Sequence, residues 1–169
     1  MNKIFRFLGE KAIPFNYFRG EGINNKTFPQ EFFMIVGLFA KDCRYKLCKC
    51  YCHYNRLFIE GRYNGRPCEL MLRIRPGHDF GLVIARVQFI HQRKGNLTKL
   101  IEILEDIRKA NSLGDIMIEN VSTPEMKSWI KKNGWIALNR WSGNYISKEG
   151  IKRKYKKLGI KWNGSTMGA

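Results

Sequence analysis

The stretch 82-LVIARVQFIHQRKGNLTKLIEIL-104 runs from an apolar strand through a basic, Gly-containing turn directly into an amphipathic helix. Its apolar positions change period at the turn. Before it the residues suit a strand; after it Leu97, Leu100, Ile101, Leu104 and Ile107 fall on one helical face, with Lys99, Glu102, Glu105 and Arg108 outside. A helix start carries unpaired backbone N–H groups and partial positive charge. The turn Gln92-Arg93-Lys94-Gly95-Asn96-Leu97 therefore has the chemistry to wrap a pyrophosphate with main-chain donors and two cations.

Upstream, residues 44 to 90 are rich in Cys, Tyr, Phe, Ile, Leu and Val with alternating charges. Asn64-Gly65 suits a two-residue hairpin turn, and Pro76-Gly77-His78-Asp79 makes the next reversal, so an antiparallel meander delivers its last strand to the basic turn. Thr27, Pro29 and Gln30 mark a helix start, and a buried helix to about Lys41 is expected, a strand being the alternative for this apolar run. Residues 1 to 26 read as an irregular aromatic-rich arm.

Downstream, Asn111 to Gly114 ends the helix, and residues 115 to 119 form a short strand expected parallel to residues 80 to 90. Ser122-Thr123-Pro124-Glu125 starts another helix with Met126, Trp129 and Ile130 buried, ending at Asn133-Gly134. Trp135 to Leu138 and Asn144 to Ser147 suggest a terminal hairpin. With no internal repeat and no interdomain linker, residues 1 to 162 read as one domain with a basic C-terminal extension, and residues 163 to 169 as a disordered tail.

The chain has 31 Lys plus Arg against 14 Asp plus Glu, a net charge of +17. Such a balance points to anionic partners, with nucleic acid or a ribonucleoprotein first. Lys148, Lys152, Arg153, Lys154, Lys156 and Lys157, interleaved with Tyr145, Tyr155 and Trp162, form the candidate nucleic-acid surface, since cations bind phosphates and aromatics stack on unpaired bases. The apolar run from Phe32 to Ala40 is far short of the roughly 20 residues a bilayer span needs, and no signal-peptide core is visible. The expectation is a cytoplasmic protein without stable membrane association. Five cysteines, an odd number clustered between residues 43 and 68, argue against a secreted disulfide framework. Cys48, Cys50 and Cys52 alternate along a strand, which suits one core-facing row of small thiols and lacks the CxxC spacing of zinc sites, so no metal is expected.

The order strand, Gln92-Arg-Lys-Gly95-Asn-Leu97, helix, strand, and a helix ending in Asn133-Gly134-Trp135 resembles the GNAT superfamily of N-acetyltransferases over about residues 56 to 147. Gln92 and Gly95 match its acyl-CoA signature; Leu97 stands where that signature has Gly or Ala, Thr123 where an Asn is usual, and Ile130 where a Tyr often protonates the departing thiolate. The resemblance implies an α/β fold: a mixed central sheet, made of an antiparallel meander and then a parallel strand pair splayed at the cofactor site, with helices on both faces. It further implies acetyl-CoA or another acyl-CoA held by Gln92, Arg93, Lys94, Gly95, Asn96 and Leu97, with pantetheine pairing to the main chain of Val87 and Phe89. Transfer to an amine would follow by direct attack, with Glu119 the first candidate general base and Asp79 and His91 after it. A nucleic-acid-binding protein of the same fold without turnover is the alternative.

Overall fold

The structure, a computed structural model, describes residues 32–53, 55–139, 142–159 and 161, without the side chains of residues 48 and 51–53. The expected arm, the helix start at Thr27 and Pro29, Trp162 and the tail lie outside the described residues. The apolar run resolves as a helix, α1 (Phe32–Asp42), followed by β1 (Leu47–His53), β2 (Arg56–Tyr63), β3 (Arg66–Ile74) and β4 (Leu82–Gln88). Then come α2 (Asn96–Ala110), β5 (Ile116–Ile118), α3 (Pro124–Lys132), β6 (Trp135–Ala137), β7 (Tyr145–Ser147) and α4 (Lys148–Lys157). All seven strands join one mixed sheet in the order β1-β2-β3-β4-β5-β7-β6. β1 to β4 form the antiparallel meander, β4 and β5 are parallel, and the β6–β7 hairpin adds antiparallel to β5 through β7.

Local chemistry accounts for the joints. Asn64 and Gly65 both take positive φ (48° and 75°), the requirement of the tight turn between β2 and β3. Gly81 and Gly114 lie against each other where β4 and β5 begin; a Cβ on Gly114 would overlap the carbonyl oxygens of His78 and Asp79. Only residues without side chains allow the two parallel strands to start so close.

The main core fills one face of the sheet. Leu57, Ile59, Leu70, Leu72, Leu82, Ile84, Ile116 and Ile118 pack there beneath Phe32, Ile35 and Phe39 of α1, Leu100, Leu104 and Ile107 of α2, and Ile130 of α3. On the opposite face Val83, Met117 and Ile146 share one register row and are buried outside that cluster. Ile151 of α4 is buried with them, and Gly150 lets α4 approach, since a Cβ there would meet Ile146 at 2.8 Å. The basic segment after Ser147 is therefore a helix packed on the sheet rather than an appended extension. Its apolar contact consists of few residues, which is why the sequence shows no clear apolar face.

Two bulges break the alternation that the sequence suggests. Register shifts between Leu47 and Lys49, leaving Cys48 as the extra residue, so that Leu47 and Cys50 are both buried in the core. In β4, Leu72 pairs with Ile84 and Met71 with Arg86, leaving Ala85 as the extra residue. Leu82 and Ile84 face the main core before it, Val87 and Phe89 after it, and Arg86 turns to the exposed face.

Candidate acyl-CoA site

The bulge at Ala85 shapes the centre of the sheet. Parallel pairing covers Leu82 to Ile84 against Ile116 to Ile118, and the last bond runs from the Glu119 N–H to the Ile84 carbonyl at 2.9 Å. Bulged strands bend. β4 continues to Gln88 with β3 on one side and, among the described residues, no strand partner on the β5 side. β5 ends as Asn120 takes φ 53° and the Val121 N–H turns to the Gly143 carbonyl. The two strands part here, so pairing between them stops three residues into β4.

The open strand leads to the loop of residues 91 to 95, all exposed, and then to α2. Arg93 (φ 60°) and Gly95 (φ 76°) curl the chain into the helix, which begins without a side-chain cap. By contrast, Thr123 Oγ accepts from the Met126 N–H at 3.3 Å to cap α3, and Ser147 Oγ accepts from the Gly150 N–H at 3.1 Å to cap α4. First-turn N–H groups of α2 thus face the loop mouth with Arg93 and Lys94 beside them. Leu97 is half-buried and packed against the main core, so its bulk is taken up by the interior.

A brace with no signature in the sequence holds this loop. Asp42, at the end of α1, has a side chain only 1% exposed. Its carboxylate accepts from the Ile90 N–H (2.6 Å), the His91 N–H (3.1 Å) and the Asn96 Nδ2 (2.9 Å), and lies 3.1 Å from His91 Nδ1. His91 and Asn96 are therefore positioned as loop supports. Phe89 adds a stacked contact with Phe39, ring centroids 4.6 Å apart. Beside the loop, on its β3 side and away from the strand separation, a cleft of about 480 Å³ is lined by Arg66, Pro67, Phe89, His91, Gln92 and Lys94, among others.

The three candidate bases do not converge. Glu119 lies at the strand separation beside Ile84, and its carboxylate is ion-paired with Arg73 of β3, across β4. Asp79 precedes β4 at the other end, where Lys157 lies 3.3 Å from its Oδ1. His91 lies in the loop beyond the end of β4, with its ring against Asp42. Only Glu119 stands where the parallel strands part.

Of the six α4 cations, Lys152 binds Glu149 (2.8 Å), the Arg153 Nε binds Asp115 (2.7 Å), and Lys154 Nζ lies 5.5 Å from the Phe80 ring centroid. With Lys157 on Asp79, four are engaged within the chain; Lys156 is exposed, and Lys148 is exposed with contacts of its own. The Lys152–Glu149 and Lys157–Asp79 pairs are exposed and hold their cations weakly, whereas Asp115 on Arg153 is largely buried. Among the described residues no group of three His, Cys, Asp or Glu could hold a metal ion, and no helix is long and apolar enough to cross a membrane.

Sequence reasoning missed Asp42, Arg73 and the bulge at Ala85, because each acts through partners distant in the chain. The strongest signal in the sequence is Arg86, a charge interrupting the apolar alternation of β4. No protein-family model, no curated protein and no solved structure matches this chain.

Proposed function

We propose that this chain is an acyl-CoA-dependent N-acyltransferase of GNAT type, most simply an acetyltransferase, acting on an amine of, or held by, nucleic acid or a ribonucleoprotein. The observation that carries the reading is the parting of β4 and β5 after Ile84 and Ile118, with β4 running on from there to the exposed loop and the uncapped start of α2. A parallel pair splayed in this way, following an antiparallel meander, is the arrangement implied by the resemblance.

Pyrophosphate would rest on the N–H groups at Gln92 to Leu97, with Arg93 and Lys94 adding charge. The pantetheine arm would run along the open side of β4 at Val87 and Phe89, bringing the acyl carbonyl to the strand separation. Backbone N–H groups there would stabilise the oxyanion as the amine attacks. Glu119, once released by Arg73, would take the amine proton directly or through water. Ile130 is buried in the core and supplies no acid for the leaving thiolate, which must take its proton from solvent or substrate.

Calorimetric titration with acetyl-CoA tests this. Saturable heat is expected for the parent and none for Gly95→Glu, which should stay folded by circular dichroism because no atom lies within 4 Å of a Cβ there and the left-handed backbone (φ 76°) costs only about 1 kcal/mol. Absence of heat at millimolar acetyl-CoA would overturn the cofactor reading. Binding without CoA release in the presence of amine-bearing RNA or basic peptides would favour a GNAT-shaped nucleic-acid-binding protein without turnover, a reading the Arg73–Glu119 pair and the buried Ile130 support.

A further inference from the structure

The face of the meander opposite the main core carries a cluster of guanidinium groups. Arg56 of β2 is the direct cross-strand partner of Arg73 of β3, and Arg75 lies two residues further along on the same side. Cross-strand cations repel, and a group of opposite charge placed between them offsets the cost. Glu119 is the carboxylate found on Arg73, so three cations share one described anion. Nor is Arg73 fully satisfied: its Nε is buried and makes no hydrogen bond among the described residues. A guanidinium offers five donors in a fixed fork, suited to the oxygens of a phosphate. Arg56 is exposed and Arg75 half-buried, so a ligand can approach from the Arg56 side.

We propose that Arg56, Arg73 and Arg75 form a phosphate-binding site, at which a phosphate-bearing ligand competes with Glu119 for the Arg73 guanidinium. The site is separate from the loop at residues 92 to 97, which lies beyond the other end of β4. It concerns binding alone and stands whether or not that loop takes acyl-CoA. If the loop does, the site gives the acceptor its class, a phosphate-bearing amine whose arrival releases the Glu119 carboxylate.

The full chain is titrated with inorganic phosphate, with adenosine monophosphate and with a fluorescent ten-nucleotide single-stranded RNA. Arg56→Gln/Arg75→Gln, which leaves the Arg73–Glu119 pair in place, should weaken binding at least about tenfold, the loss of one or two charge-assisted hydrogen bonds. Removing two charges elsewhere, Lys127→Gln/Lys131→Gln on α3, should change it less than about twofold. Glu119→Gln should tighten binding several-fold, since the competing carboxylate is gone. Arginine-dependent binding of phosphate or the mononucleotide identifies a phosphomonoester; arginine-dependent binding of the RNA alone identifies a phosphodiester backbone. Either supports the site. It is overturned if none of the three probes binds, or if Arg56→Gln/Arg75→Gln affects binding no more than the α3 control. Weaker phosphate binding by a folded Glu119→Gln protein overturns the competition.

Discussion

At the scale of single residues, two carboxylates stand at the candidate site, and neither is alone. Asp42 receives two backbone N–H groups and two side chains, so a substitution there leaves donors unsatisfied at the junction of β4 and the loop. Asp42→Asn is expected to lower stability by roughly 2–4 kcal/mol in urea unfolding and to weaken acetyl-CoA binding, because the loop loses its brace. A variant with the parent's midpoint and affinity would remove Asp42 from this role. Glu119 is held by Arg73, whose guanidinium is kept below the usual arginine range by burial first and then by the repulsion of Arg75 and Arg56. A strand-end Glu is legible in the sequence; its partner is not, since residues 73 and 119 meet only when β3 and β5 flank the same strand.

Among the elements, the parallel pair β4 and β5 depends on what precedes it. Gly114→Ala should cost roughly 2–3 kcal/mol, as expected for overpacking, because the new methyl group meets backbone carbonyls that cannot swing aside. Gly95→Ala, also a glycine-to-alanine change but into open space, should cost only the left-handed backbone penalty of about 1 kcal/mol. Thermal unfolding of the two variants side by side checks the difference; equal losses would mean that the contact of Gly81 with Gly114 does not control pairing. The helices are legible in the sequence wherever their ends carry chemistry, as at Thr123 and at Asn133-Gly134. The sequence does not reveal α4 as a helix, although Ser147 caps it, because its charge conceals the short contact made by Gly150 and Ile151.

Over the whole molecule, a net charge of +17 spreads across the surface, but its use differs from site to site. Arg153 joins α4 to Asp115, and Lys157 joins it to Asp79, so these cations hold the helix as well as attract anions. Replacing Lys152, Arg153, Lys154, Lys156 and Lys157 together with Gln should weaken single-stranded RNA binding. It should also flatten its dependence on log salt by about 0.7 for each phosphate that is no longer neutralised. Fluorescence anisotropy across a salt series measures this, and an unchanged slope would mean that α4 is a structural helix whose cations serve only contacts within the chain and solvent.

Local pattern alone specifies the succession of elements from β2 to β7, the tight turn at Asn64-Gly65, the helical face from Leu97 to Ile107 and the chemistry of the loop between His91 and Leu97. Turn residues set φ, and apolar spacing sets the face that is buried, so neither depends on distant partners. Folding in three dimensions decides the rest: β7 inserts between β5 and β6, Ala85 bulges and β4 parts from β5, Asp42 braces the loop, and Arg73 holds Glu119. Each of these joins residues far apart in the chain, and such contacts depend on strand order and register, which no local spacing encodes.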